Sequence, residues 1–302
     1  GDATFVIIPK LYIDQGCVLH YDRDDYFAGS LAEPMSCIIG GYKVNYHNNF
    51  ATHEHKMGIV EGGNCAIMAG VGPMGLGAID YALHGPKKPG LLVVADINAA
   101  RLARAERIFS PEYAAKEGVR LVYLDTSAGD TVQRMMDISG GKGYDDVYVY
   151  APVSALIEQA DAVLAKDGCL NFFAGPTDNK LSARFNFYDV HYKYTHVAGN
   201  TGGNAEDMED CIALMNAGKL HPEVMITHVG GLDSAAETTI NLPNIPGGKK
   251  LVYTHINMPM TAIDDFAKLG ESDARFARLA KICQKNNGLW CTEAEKYLLE
   301  NF

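Results

Sequence analysis

Three glycines carry the first chemical signal. Gly70, Gly72 and Gly75 lie in the run Ala69-Gly70-Val71-Gly72-Pro73-Met74-Gly75, behind the apolar residues Cys65-Ala66-Ile67-Met68. The spacing suits a strand-to-helix turn that offers backbone N–H groups to a diphosphate. Gly70 permits the tight turn, Gly72 lets a pyrophosphate reach the backbone, and Gly75 lets helix and sheet pack closely. Pro73 fits the first helical turn, where a missing N–H costs little. Met74 follows it, and the helix start adds the positive end of its dipole. Asp96 closes the next apolar run, Leu91-Leu92-Val93-Val94-Ala95, and can accept hydrogen bonds from the ribose hydroxyls of an adenosine. Ile97 and Arg101 come directly after it. These residues form a candidate dinucleotide site. The carboxylate of Asp96 favours NAD(H) over NADP(H), because a 2′-phosphate beside it would meet like charge; Arg101 and Arg104 partly offset that preference.

Other reactive side chains say less. Glu33 precedes Pro34 and an apolar run, so it also reads as the favourable acid of a helix N-terminus. His47, His53 and His55 are close together without a cysteine or spaced acid to complete a metal site, and a polar surface loop suits them better. His228 lies in an apolar strand, where one partner satisfies it. Arg23, Lys249 and Lys250 are candidate cations for a phosphate group, and no spacing supports them over ordinary solvated charges. The seven cysteines, an odd number with no C-x-x-C pair, point to a reduced, cytoplasmic protein.

Alternating apolar strands and helices must position the glycine turn. Strands are expected at 64–68, 91–96, 120–125, 146–150, 168–173 and 194–198. Helices are expected at 98–109, ended by Ser110-Pro111, and at 131–139 and 154–164. This alternation implies an α/β fold with a doubly wound parallel sheet of six strands, the Rossmann arrangement. Ligands then bind beyond the strand ends, near Gly70, Asp96, Ala151, Ala174, Gly175 and Gly199. Further on, a helix is expected at 205–217, strands at 224–229 and 249–254, and a helical tail from 263. Ser272 and Thr292 are cap candidates, with Thr292 and Glu295 spaced as a capping box. At the front, Thr4–Pro9 reads as a strand with nothing before it to pair with, so an N-terminal portion is expected to be missing; 22–26 reads as a turn.

Composition sets outer limits. With 302 residues the chain can bury one large core or two ordinary ones. A net charge of −11 argues against nucleic acid as a partner, and no apolar run is long enough to span a membrane.

At the level of motifs the chain resembles the medium-chain, zinc-type alcohol and polyol dehydrogenases. Glu33-Pro34-Met35-Ser36-Cys37, the turn from Gly70 to Gly75, Asp96-Ile97-Asn98 and Thr227-His228 stand in that family's order. Longer stretches, including 167–176, 186–192 and 247–254, resemble its ketose-phosphate reductases. The resemblance implies NAD(P)H-dependent interconversion of a ketose phosphate and a polyol phosphate, with zinc as a cofactor and a homo-oligomeric assembly. It implies that residues 1–32 are the end of a GroES-like catalytic domain, 33–228 the dinucleotide-binding domain, and 229–302 a return to the catalytic domain with a helical C-terminal extension. It also implies that most catalytic and zinc-binding positions are absent. Glu33 alone matches a metal position, and turnover by this chain alone is expected to be low. Two other readings share the glycine turn: an S-adenosylmethionine-dependent methyltransferase and a non-catalytic nucleotide-binding module.

Overall fold

The computed structural model describes residues 2–302. The chain forms two compact units, a continuous one, Glu33–Leu214, and a discontinuous one, Gly1–Ala32 with Met215–Phe302.

The continuous unit begins with the helix Ala32–Val44 and a short hairpin, β1 (Tyr46–Asn48) and β2 (His55–Met57). Six strands follow: β3 (Asn64–Met68), β4 (Leu91–Asp96), β5 (Arg120–Asp125), β6 (Tyr144–Val149), β7 (Leu164–Phe172) and β8 (His196–Ala198). They form one sheet in the order β5-β4-β3-β6-β7-β8, with every neighbouring pair parallel. The chain turns outward in opposite directions from the centre of this sheet, which makes the carboxyl ends of β3 and β6 the switch point where ligands bind in such folds. β3 and β4 are covered on both faces: Cys65 to Met68 and Leu91 to Ala95 are all buried. Burial on both sides is why these strands read as unbroken apolar runs rather than as alternation. The helix Pro73–His84 buries every residue from Gly75 to Leu83, and its Ala78 carbonyl and Tyr81 ring meet Tyr42 of the helix Ala32–Val44.

Two local expectations change in this unit. The helix after Asn98 ends at Ile108, and Ser110-Pro111 then starts another, Pro111–Lys116, whose N-terminus the Ser110 hydroxyl caps by accepting from the Tyr113 amide. A serine before proline is both a stop and a start signal. The histidine-rich segment is not a surface loop throughout. His47 is 8% exposed, because the hairpin presents it inward, whereas His53 and His55 are exposed.

In the discontinuous unit, β9 (Ile226–Gly231) runs parallel to β10 (Lys249–Tyr253) and antiparallel to β11 (Thr261–Ala262), in the order β10-β9-β11. Thr4–Pro9 is not a strand. It pairs with no strand among the described residues, the Thr4 hydroxyl donates to the Thr254 carbonyl at 3.1 Å, and Phe5 and Ile7 are 89% and 94% exposed. The turn expected at 22–26 leads directly into a helix, Tyr26–Ser30. The tail is helical, with its longest helices at Ala274–Lys285 and Thr292–Asn301. Asp273, not Ser272, caps the first of these. The capping box at the second does not form, because tertiary partners claim both of its side chains. The Thr292 hydroxyl donates to Asp25 at 3.0 Å. The Glu295 carboxylate accepts from the amides of Tyr26 and Phe27 at 2.7 and 2.9 Å and from the Tyr253 hydroxyl at 2.7 Å.

Candidate functional site

The glycine turn is shaped by close backbone approach. A Cβ on Gly75 would lie 2.2 Å from the Gly70 carbonyl oxygen, so the helix rests on the turn only if residue 75 has no side chain. A Cβ on Gly72 would meet no atom within 4 Å. That open position is at the N-cap of the helix Pro73–His84, where no side chain satisfies the first-turn amides. Ala69, just ahead, holds a left-handed φ of 56°, a conformation that costs about 1–2 kcal/mol for a residue with a Cβ. The turn therefore combines an open approach, unsatisfied helix-start donors and local strain.

Asp96 stands beside this turn. One carboxylate oxygen accepts from the Asn98 amide at 2.9 Å and the other from the Val71 amide at 3.4 Å, so the side chain braces the turn against the end of β4. Ile97 is 73% exposed. The Asn98 side chain caps the next helix by accepting from the Arg101 amide at 3.0 Å, and the Arg101 residue is exposed.

A cavity of about 540 Å³ opens beyond the ends of β7 and β8, lined by Cys37, Met74, Phe172, Phe173, Ala174, Gly175, Pro176, Gly199, Asn200, Thr201 and Gly202. It unites Met74, Ala174, Gly175 and Gly199 from the sequence candidates. Gly70, Gly72, Pro73, Gly75, Asp96, Ile97, Arg101 and Ala151 lie outside its lining. The cavity also contains residues the sequence reading missed. Cys37 closes the motif that begins at Glu33, and its sequence gives it no role of its own. The Asn200 amide nitrogen donates to the carbonyls of Gly202 at 2.8 Å and Cys37 at 3.5 Å, tying the loop after β8 to the helix Ala32–Val44. The Asn200 Oδ1 is buried without a partner. A Cβ on Gly203 would sit 2.6 Å from the Ser36 backbone, which explains the glycine pair that follows Thr201.

Glu33 is exposed in the first turn of its helix, and the Cys37 thiol donates to its Oε1 at 3.3 Å. A catalytic zinc takes three protein ligands and a structural one four. Among the described residues Glu33 belongs to no group of three such donors, so Glu33 itself does not stand in a complete zinc centre. Two of the three candidate phosphate cations are engaged in local structure. Arg23 pairs with Asp25 at 2.7 Å and donates to the Met215 carbonyl. The Lys250 ammonium donates to the carbonyls of Ile245, Pro246 and Gly248. His228 has the partner a structural histidine needs, the Thr227 hydroxyl at 2.8 Å.

Comparison with known proteins gives the family. The signature of a family described as zinc-binding dehydrogenase matches residues 73–217. Mannitol-1-phosphate 5-dehydrogenase from Aliivibrio fischeri is 52% identical over 301 residues, which cover 99% of this chain and 71% of that protein. L-sorbose 1-phosphate reductase from Klebsiella pneumoniae is 46% identical over 301 residues, 99% of this chain and 70% of that protein. Among solved structures, a Sinorhizobium meliloti 1021 protein bound to NADP superposes with a TM-score of 0.57 at 19% identity, covering 75% of this chain and 59% of that one. The chain thus spans only part of each relative's length.

Proposed function

Because the chain belongs to the zinc-type medium-chain dehydrogenase family, we propose that it binds a nicotinamide dinucleotide and takes part in the interconversion of a polyol phosphate and a ketose phosphate of the L-sorbose 1-phosphate type. Family membership removes the methyltransferase reading. The observation that carries the proposal is the open space beside Gly72, set at a helix start next to Asp96.

The dinucleotide supplies a hydride donor or acceptor when bound. The chain's own residues do the rest. The amides at the start of the helix Pro73–His84 hold the diphosphate, and Gly72 admits it. Asp96 accepts from the adenosine ribose and favours NAD(H). Ile97 and Arg101 flank that end. Ala174, Gly175 and Gly199, with Met74, Phe173 and Cys37, line the cavity that receives the nicotinamide end, and Ala151 follows β6 on the way to it. Glu33 is the one residue of this chain assigned to the metal. We place the protein in the cytoplasm as a homo-oligomer. Residues 1–32 and the segment after 228 represent the catalytic domain's share of the chain. No described helix is long and apolar enough to cross a membrane.

The position of Glu33 outside any group of three metal donors among the described residues favours a second reading of the 302-residue chain taken alone: a dinucleotide-binding body with little turnover. One set of measurements tests both. NADH and NADPH are titrated by fluorescence, and polyol and ketose phosphates are assayed with and without chelator. Tighter NADH binding with weak turnover is expected. No dinucleotide binding refutes the first reading, tighter NADPH binding refutes the role of Asp96, and fast chelator-sensitive turnover refutes the second.

A further inference from the structure

We propose that His47 is a proton-operated latch that holds the β1–β2 hairpin on the parallel sheet while its ring is charged and releases it when the ring loses its proton. The inference goes beyond dinucleotide binding and does not depend on it.

Both ring nitrogens of His47 face acceptors. Nδ1 lies 3.0 Å from the Asp167 carbonyl oxygen and Nε2 lies 3.2 Å from Asp146 Oδ1. A neutral imidazole has one N–H, so one of these contacts would set a lone pair against an oxygen; an imidazolium donates to both. The ring is enclosed, with a side-chain exposure of 10%, and water cannot readily replace the lost donor.

The two acids pin the hairpin by its flanks. Asp146 accepts from the Asn45 side chain at 2.7 Å and from the Val60 amide at 2.9 Å, on either side of the hairpin. Asp167 accepts from the Asn48 amide at 2.9 Å and from the Asn48 side chain. His47 is the cation between them.

The groups that face it from each packed element reinforce this arrangement. β6 contributes Asp145 as well as Asp146, and burial raises the Asp145 carboxyl above its usual range. β7 contributes Asp167 and Cys169, whose thiol burial pushes up to about 12, so it stays neutral. β8 contributes His196, whose ring lies 6.1 Å from that of His47. His196 also has an acceptor at each nitrogen, the carbonyls of Tyr46 at 2.6 Å and Tyr194 at 2.8 Å. The Tyr46 ring stacks between His55 and His196, and the Lys166 ammonium sits over the Phe50 ring at the hairpin's tip. For His47, burial works against the charge, but the hydrogen bond and charge of Asp146, helped by Asp167, outweigh it and hold the imidazole above its ordinary value.

The sign follows from linkage. A group whose folded pKa is raised contributes stability that is complete below its unfolded value and disappears as pH rises through the folded one. The latch is therefore closed in mild acid and opens on the alkaline side. Opening frees Met57 and Gly58, which form one wall of a cavity of about 370 Å³ shared with Tyr42 and Tyr81.

The test is amide exchange of the full chain from pH 6 to 9, with rates divided by intrinsic exchange at each pH, beside an NMR titration of the histidine rings. Protection over 46–57 should fall as pH rises, by up to about tenfold per pH unit within the titration window, while β3 and β4 hold steady. His47 should titrate above an ordinary histidine with both ring nitrogens protonated at pH 6.5. His47→Gln should abolish the pH dependence and His196→Gln should retain it. A neutral His47 ring at pH 6.5, protection independent of pH, or a pH dependence that follows His196 instead would each overturn the proposal. The NMR arm needs no variant, so a misfolded His47→Gln does not leave the question open.

Discussion

Alanine placed at two neighbouring glycines of the turn should produce opposite failures. At Gly75 the new Cβ would lie 2.2, 2.5 and 2.8 Å from the oxygen, carbonyl carbon and Cα of Gly70. Carbon contacts settle near 3.5–4.0 Å, so helix and turn must separate by about 1 Å, and the obstructing atoms are backbone that cannot rotate away. Overpacking of this kind costs about 1–3 kcal/mol, with the upper end expected here. At about 2–4 °C per kcal/mol for a unit of this size, Gly75→Ala should lower the melting temperature by roughly 6–12 °C. At Gly72 the new methyl meets nothing within 4 Å and the φ of −74° suits any residue. Gly72→Ala should melt at or slightly above the parent, since a stiffer unfolded chain contributes about 0.4–1 kcal/mol. Its methyl nevertheless stands where the diphosphate must approach, and NADH affinity should fall at least tenfold, about 1.4 kcal/mol. Differential scanning calorimetry and NADH fluorescence titration read the two effects separately. If Gly72→Ala melts as low as Gly75→Ala, or binds NADH as the parent does, the steric argument for the turn is wrong.

Three further outcomes follow from other side chains. Saturating NADH should slow iodoacetamide labelling of Cys37, which lines the cavity, and leave the exposed Cys17 unaffected; peptide mass mapping resolves the two, and equal labelling would move the nicotinamide elsewhere. Glu295→Ala leaves two backbone amides and a buried phenol without their acceptor and should cost about 3 kcal/mol or more by chemical denaturation. Burial raises the Glu295 carboxyl above its ordinary range despite those hydrogen bonds, so its contribution is complete in acid and weakens as pH rises through the raised value; the stability gap between the parent and Glu295→Gln should narrow from pH 4 to 7, and a widening gap would contradict the sign.

The six-stranded sheet was legible because β3 and β4 are uninterrupted apolar runs followed by glycine and acid at the spacing a phosphate turn requires. The hairpin was not legible. Tyr46-His47-Asn48 has no apolar face, and what buries His47 is a pair of acids about 100 and 120 positions away. Cys37 and Asn200 were hidden for a similar reason: each looks ordinary in its own segment and gains a role only where the loop after β8 meets the helix Ala32–Val44. Thr292 and Glu295 show the opposite error. Their local spacing was right for a cap, but partners from residues 25–27 and Tyr253 offered better hydrogen bonds. The Thr4–Pro9 segment has strand composition but pairs with no described strand, and composition alone cannot show whether a partner strand takes it.

The split course of the discontinuous unit affects how the protein is made. The Glu33–Leu214 unit can close while the ribosome is still working, since all of its strands leave the tunnel in one stretch. Phe27 must wait for Glu295, 268 positions later. At about 5–20 residues per second, that delay is on the order of tens of seconds. During it the amides of Tyr26 and Phe27 have no acceptor from the helix Thr292–Asn301, and the arrival of that helix sets when the discontinuous unit can close.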